Sequence, residues 1–397
     1  MGGRQRHIGV AERQARLALR QRLATGARAS APEEIAGSLV ALHGTDPATV
    51  YLAVGARLAD AGKTVAEVER ALYEDRTLVR MHGMRHTVFV FPTELAAVVH
   101  ASTGLANAAK ARAGLVKDMV AGSDGRLAEE WLAEVEASAL AALARRGQAT
   151  VAELTRDEPR LKERFTYGAG KSYESLHTVS SRLMRVLGVE ARVVRGRPLG
   201  TWTSSQFRWA VAAPHPDLPP AEARSELLRG WLAACGPATE ADLTWWTGWR
   251  VTDVRRSLTA IGAVPVTLGG GVTAYVTSGD EEPVAAPADP WAALLPGLDP
   301  TAMGWRERDW YLAPGLRPAL FDGSGNVGPT VWWNGRVVGG WAQRPDGEVV
   351  WRLLETEGLG REGRAAIETE AARLASWLAG TRVTPRFRTP LEKELAS

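Results

Sequence analysis

The residues best equipped for chemistry stand together near the start of the chain. Leu42-His43-Gly44-Thr45-Asp46-Pro47 sets an imidazole and a hydroxyl two positions apart, just ahead of a carboxylate and a proline. Histidine titrates near neutrality and serves equally as hydrogen-bonder and as base, so an imidazole and a hydroxyl this close suggest chemistry. The same residues also serve structure. Asp46 before Pro47 reads as a helix start, because the carboxylate caps free backbone N–H groups and proline is preorganised for the first helical position. Thr45 offers a second cap. Ala48 to Arg57 reads as the helix that follows, and Ile35 to Leu42 has the spacing of a helix with one apolar face, which His43 closes.

The elements that must position this loop follow from the rest of the chain. At 397 residues the chain is long enough for two to four domains, taking about 100–200 residues for each. The formal net charge is +3 and the pI about 9.1, with arginine supplying nearly all the positive charge. Arginine makes forked contacts to phosphate and base edges, so this balance is compatible with nucleic acid as partner. The single cysteine, Cys235, excludes an internal disulfide framework and a cysteine-based zinc site, and fits a reducing cytoplasm. No apolar run approaches the length of a membrane span. Met1-Gly2-Gly3-Arg4-Gln5-Arg6-His7 leads into a charged amphipathic helix rather than the apolar core of a signal peptide, so a soluble, cytoplasmic protein is expected. His82, His86, His100, His177 and His215 lack the spacing of metal ligands, and neither a Walker loop nor a Rossmann glycine pattern occurs. No metal and no nucleotide or other cofactor is expected.

A repeat organises the sequence. Gly147-Gln148-Ala149-Thr150-Val151-Ala152-Glu153-Leu154-Thr155 and Gly236-Pro237-Ala238-Thr239-Glu240-Ala241-Asp242-Leu243-Thr244 share one pattern, and Gly62-Lys63-Thr64-Val65-Ala66-Glu67-Val68 is a looser, shorter copy. In each the threonine reads as the N-cap of a short helix with an acidic first turn. Amphipathic runs follow, Ser175 to Leu187 and Val251 to Ile261, and then pairs of strand-like stretches around Gly/Pro turns, including Gly269-Gly270-Gly271. Helix, capped helix, helix and two-stranded hairpin is the order of a winged helix-turn-helix. Three copies at roughly 80–90-residue spacing make a tandem array. In such modules the third helix enters the major groove, which nominates Arg182, Arg185, Arg250, Arg255 and Arg256 as DNA-facing, with a solvated helix face as the alternative for each. The Gly269-Gly270-Gly271 turn can approach sugar and phosphate closely and is the candidate minor-groove probe, with a plain tight turn as its alternative.

The last hundred residues differ. Glu281 to Pro290 reads as a linker, and beyond it short aromatic strands alternate with turns, Asn334-Gly335 and Asp346-Gly347 being two-residue hairpin signals. A curved sheet or barrel closed by one helix, about Arg361 to Ala379, is expected. Most of the fifteen tryptophans lie after residue 200, where they serve as core or as base-stacking platforms. The expected fold is α+β, with three winged-helix units (1–120, 121–215 and 216–280) followed by a β-barrel-like domain over 281–397.

Together these residues resemble the AlkZ-like DNA glycosylases, the winged-helix family that includes the bacterial YcaQ proteins. The resemblance covers nearly the whole chain, including Leu294-Leu295-Pro296-Gly297-Leu298-Asp299-Pro300 at the start of the C-terminal domain. It implies a scaffold that holds duplex DNA and excises alkylated bases, some members being self-resistance enzymes against alkylating natural products. The family's catalytic signature is a glutamine, one residue, then a second glutamine or an aspartate, followed closely by Asp-Pro. Aligned on Asp46-Pro47, this chain carries His43 and Thr45 in those places, a departure from the pattern. The resemblance thus implies His43 as base, Thr45 as water holder and Asp46 as helix cap and electrostatic partner of the sugar.

The reading is a monomeric, monofunctional glycosylase acting on double-stranded DNA that carries a cationic N7-alkylguanine or N3-alkyladenine, without membrane attachment. Two other readings stand beside it: a winged-helix regulator without catalysis, which usually has one or two such units and a dimer interface, and a protein that shields lesions, which shares the scaffold and differs only at His43 and Thr45.

Overall fold

The computed structural model describes residues 5–397. Met1 to Arg4, read above with the charged N-terminal segment, lie outside the described residues. The chain divides into two compact units, the first formed by residues up to 79 with 89–93 and 224–397, the second by 80–88 with 94–223.

The first unit opens with α1 (Val10–Arg20) and α2 (Pro32–Leu39). Val40 ends α2 with a φ of 63°, a left-handed conformation that costs a β-branched residue energy. The chain then straightens into the short strand β1 (Leu42–His43), so the helix expected through Leu42 stops early and His43 belongs to a sheet. The partner is the later strand β3 (Val88–Pro92), with Leu42 opposite Val90 and His43 opposite Phe89 in antiparallel register. Asp46 caps α3 (Pro47–Gly55), as the Asp-Pro pair predicts, and every residue of α3 is buried. After α4 (Thr64–Glu69), strand β2 (Leu78–His82) and β3 complete a sheet of order β1-β3-β2. That hairpin leaves the first unit after Val79 and returns at Phe89.

The second unit continues through α5 (Ala96–Val99), α6 (Leu105–Gly122), α7 (Glu129–Arg146), β4 (Gln148–Ala149) and α8 (Val151–Asp157). An antiparallel hairpin of β5 (Arg164–Tyr167) and β6 (Ser175–Thr178) then intervenes. The run expected to be helical from Ser175 therefore starts as a strand, and α9 (Val179–Val189) begins behind the Thr178 cap. Strands β7 (Val193–Pro198) and β8 (Phe207–Val211) follow, and β4 pairs with β8 in the order β4-β8-β7. Met119, Val135, Leu154, Leu183, Leu187 and Trp209 are among the apolar side chains that fill this unit's core.

α10 (Pro220–Cys235) brings the chain back to the first unit, where α11 (Glu240–Thr247), α12 (Val251–Ala260), β9 (Val264–Thr267) and β10 (Thr273–Val276) follow. Ala238, just before α11, exchanges two backbone hydrogen bonds with Tyr275 of β10. All three stretches thus share one order: helix, short extended segment paired with the second strand of a later hairpin, two helices, hairpin. In this register Asp46, Thr150 and Thr239 are equivalent helix caps. Thr150 and Thr239 form capping boxes with Glu153 and Asp242. The expected third cap, Thr64, is instead already helical, because a 3-10 turn over Ala61–Lys63 precedes it and its hydroxyl donates back to the Ala61 carbonyl. The first copy of the repeat lies at Leu42–Asp46, not at Gly62–Val68.

The C-terminal part holds β11 (Ala292–Leu295), α13 (Pro300–Met303), α14 (Arg317–Leu320), β12 (Thr330–Trp333), β13 (Arg336–Gln343), β14 (Val349–Leu353), α15 (Gly360–Leu378) and α16 (Pro390–Leu395). The expected barrel is not formed among the described residues. Four antiparallel strands in the order β11-β12-β13-β14 make an open sheet, too few strands to close around a filled interior, and α15 packs on it. Asn334 and Gly335 both take positive φ and join β12 to β13 as a two-residue turn. Asp346-Gly347 belongs to a longer loop, closed by the Arg344 N–H bond to the Glu348 carbonyl. Trp231 packs against Trp246 and Trp305, Trp305 meets Tyr311 edge-on, and Tyr311 stacks on Trp332, so these tryptophans are core rather than a platform for bases.

One buried ion pair ties the start of this unit to its end. The Arg57 guanidinium, just beyond α3, makes a two-pronged contact with Asp299 at 2.9 and 2.7 Å, and both side chains are fully buried. Its remaining N–H groups donate to the Thr301 hydroxyl and to the Ala53 and Gln21 carbonyls. Arg57→Met is expected to lower stability by about 3–5 kcal/mol in denaturant unfolding, because it strands a buried carboxylate. The double variant Arg57→Met/Asp299→Leu should recover most of that loss, and equal losses in both would contradict the assignment.

Candidate active site and DNA-facing surface

Two backbone events place the His43–Thr45 loop. The left-handed Val40 turns the chain out of α2, and pairing with β3 holds Leu42 and His43 extended, while Thr45 follows two residues on in the bend that leads to α3. His43 and Thr45 are half-buried. The His43 ring meets Phe89 edge-on, with centroids 5.4 Å apart. The loop ends directly on the N-terminus of α3, where free backbone N–H groups carry partial positive charge.

Asp46 is the hinge between strand and helix. One carboxylate oxygen accepts the Ala48 N–H at 3.1 Å, and the other accepts the Arg386 N–H at 2.9 Å. With only 8% of its surface exposed, Asp46 acts on the loop through backbone geometry. It also lines a cavity of about 320 Å³ together with Thr49, Gly297, Trp341, Gln343 and Pro385. His43 and Thr45 are outside that lining, and the Thr49 hydroxyl donates across it to the Gly297 carbonyl.

Arg386 is the residue that sequence reasoning missed. Besides its backbone bond to Asp46, its guanidinium reaches the Thr45 carbonyl at 3.5 Å while remaining exposed. The C-terminal segment therefore lays an exposed cation beside the loop. The signal available in the sequence was the cluster Arg382, Arg386 and Arg388, some 340 positions from Asp46, a separation no local pattern bridges.

The nominated DNA-facing residues separate into groups. On α9, Arg185 is exposed, whereas Arg182 lies over the Tyr167 ring at 3.8 Å. At α12, Arg250 is the exposed N-cap residue and Arg256 is exposed, with only a 3.9 Å contact to Asp253. Arg255 is held by Glu240 through three hydrogen bonds. Gly269, Gly270 and Gly271 form the exposed tip between β9 and β10, with positive φ at Gly270 and Gly271 and open space around the Cα atoms of all three.

The second unit carries a further candidate surface. At the tip of the β2–β3 hairpin, Arg85 and His86 are consecutive non-glycine residues with left-handed backbone, a strained arrangement. Burial pushes the neighbouring His82 imidazole down to about 4, and the charges of Arg195 and Arg185 add to that. His86 is lowered by partial burial and by Lys110 and Arg185. Arg185 acts on both rings, Arg195 on His82 and Lys110 on His86, so basic groups gather around this tip.

A partly buried polar pair thus stands beside a capped helix N-terminus, with exposed arginines on α9 and α12. Comparison with known proteins specifies the class. The family described as DNA glycosylase AlkZ-like matches residues 36–377, and the chain belongs to this AlkZ-like DNA glycosylase family. Among solved structures, the Streptomyces sahachiroi DNA glycosylase AlkZ superposes with a TM-score of 0.70 at 22% identity, over 96% of this chain and 99% of that one. No curated protein sequence matches. Among the described residues no helix is long and apolar enough to cross a membrane, and no group of three His, Cys, Asp or Glu side chains could hold a metal ion.

The difference between the two neighbours on α12 is testable. Arg256→Ala is expected to reduce the log–log salt slope of duplex binding by about 0.9, the value for one phosphate contact, while Arg255→Ala changes it little. Equal slopes for both variants and wild type would remove α12 from the interface.

Proposed function

We propose that this chain is a monofunctional DNA glycosylase that excises cationic, bulky N7-alkylguanine or N3-alkyladenine bases from duplex DNA. Its biological setting, in this reading, is base-excision repair and self-resistance to an alkylating antibiotic. The observation that carries it is half-buried His43 at the end of β1 and half-buried Thr45 in the bend after it, both next to the capped N-terminus of α3, where the family resemblance assigns the catalytic pair.

The chemistry asks little of the leaving group. An alkylated purine already bears positive charge, so when the bond from C1′ to the base nitrogen breaks, its electron pair neutralises the ring and no proton need be supplied. The sugar is left with oxocarbenium character. A water held by the Thr45 hydroxyl adds to C1′, and His43 as neutral imidazole takes its proton. Such a positioned base contributes about 100- to 10,000-fold. Asp46 positions the pair, since both its oxygens are occupied by backbone N–H groups, and its charge offsets the positive helix end beside a cationic sugar. Arg386 supplies a contact for a flanking phosphate.

The stretches 121–215 and 216–280 act, in this account, as winged-helix readers that present Arg185, Arg250 and Arg256 to the duplex, with Gly269-Gly270-Gly271 probing the minor groove. The short strand paired with the hairpin's second strand in each stretch supports that reading. The stretch 1–120 repeats the pattern and carries the chemistry. No lysine precedes Lys63, so the loop's own segment offers no amine for a Schiff base, in keeping with a monofunctional enzyme.

His43→Ala is expected to lower base release from a duplex carrying a bulky N7-alkylguanine by at least about 100-fold, scored as strand cleavage after hot alkali, with duplex affinity retained. Full activity in this variant would overturn the assignment. Tight binding without base release by the wild type would favour the lesion-shielding reading.

A further inference from the structure

A second polar site lies in the first unit, away from the His43 loop in sequence and in its lining residues. On α1, Arg13 is only 8% exposed, and its guanidinium carbon lies over the Trp310 ring, 4.0 Å from the centroid. Its Nε and Nη2 have no hydrogen-bond partner. Two further buried donors nearby also lack acceptors: the indole Nε1 atoms of Trp305 and Trp310, whose rings meet edge-on at 5.1 Å. Arg13, Trp305 and Trp310 line one cavity of about 190 Å³, closed on its other side by Leu17, Cys235 and Pro237.

Other buried arginines of this unit show what is missing. Arg57 satisfies its guanidinium with Asp299, Thr301 and two carbonyls, and Arg16 holds Glu12 and Asp280. Asp242 is an acid close enough to act on Arg13, yet its oxygens accept from the backbone of Arg306 and Glu307 and from the Thr239 N–H and hydroxyl. Burial lowers Arg13 only to about 10, so it stays cationic at neutral pH, and the buried Cys235 thiol, pushed up to about 12, stays neutral. No residue lining the cavity carries a carboxylate. A buried cation and two indole N–H groups without acceptors are costly to keep, and one anion would satisfy them together. The space beside these donors is small, so the occupant is one compact group rather than an organic ligand.

We propose that this cavity is a binding site for a single phosphate-type oxyanion, held by the forked guanidinium of Arg13 and the indole N–H groups of Trp305 and Trp310. The group can arrive as free inorganic phosphate or as the terminal phosphate of a DNA end, and the chemistry of recognition is the same.

The test is thermal unfolding of the full chain in a phosphate-free buffer at constant ionic strength. Sodium phosphate is titrated against sodium chloride in one arm, and a 5′-phosphorylated oligonucleotide against its unphosphorylated form in the other. In wild type at least one phosphate source is expected to raise Tm saturably over its control. Arg13→Met should abolish that increment, and Trp310→Phe, which keeps the stacking ring and deletes one N–H, should weaken the apparent affinity about tenfold. If Arg13→Met does not fold, Trp310→Phe alone decides. A response to inorganic phosphate identifies the free ion as occupant, and a response confined to the phosphorylated oligonucleotide identifies the DNA end. No increment in either arm, or increments identical in wild type and variants, would overturn the site. Tm is read without base release, so the result is independent of the chemistry proposed at His43.

Discussion

The contact on which the first unit depends is the buried pair Arg57–Asp299. Two charges held at 2.7 and 2.9 Å without solvent are tolerable only because each has further partners. Asp299 also caps α13 through the Thr301 N–H, and the Thr301 hydroxyl donates to Gln21 at the end of α1. One knot thus joins α1 and α3 to the turn before α13, more than two hundred residues further along the chain. The consequence for function is positional. The far end of α3 is fixed to the C-terminal part, so its near end, which carries Asp46, cannot drift without disturbing a network that leaves no room for partial disengagement.

From that anchor the site is assembled by backbone rather than by side-chain pairing. Val40 takes a strained left-handed turn, β1 borrows registry from β3, and Asp46 closes the strand-to-helix junction with one oxygen on Ala48 and the other on Arg386. The strain at Val40 is sustained by the packing on both sides of it. The same junction recurs at Thr150 and Thr239, where it caps ordinary helices. The loop in the first copy is therefore a scaffold junction that carries an imidazole and a hydroxyl, with Arg386 adding charge from the other end of the chain.

What the sequence made legible was local. Asp46-Pro47, the two threonine capping boxes and Asn334-Gly335 each contain their own physics within four residues, and each forms as expected. The family was legible from the repeat and the Leu294–Pro300 segment, both within the residues the family match spans, and Asp299 in that segment proves to be half of the anchor. Hidden were the features that depend on distant partners. A two-residue strand such as β1 has no periodicity, and only Val90 and Phe89 reveal it. The first repeat was placed at Thr64 because its spelling matched, whereas the fold places it at Asp46, where a different cap does the same task. The sheet stays open because four strands cannot close, and the tryptophans read as potential platforms are absorbed by its core.

The central claim is that a neutral imidazole at His43, held by this scaffold, activates the water that attacks C1′. The most direct measurement is the single-turnover rate of base excision as a function of pH, for wild type and His43→Gln on the same alkylated duplex. The account predicts a wild-type rate that rises with pH as an imidazole loses its proton and then levels, and a low, flat profile for the glutamine variant. A wild-type profile without that rising limb, or one that His43→Gln leaves in place, would contradict it.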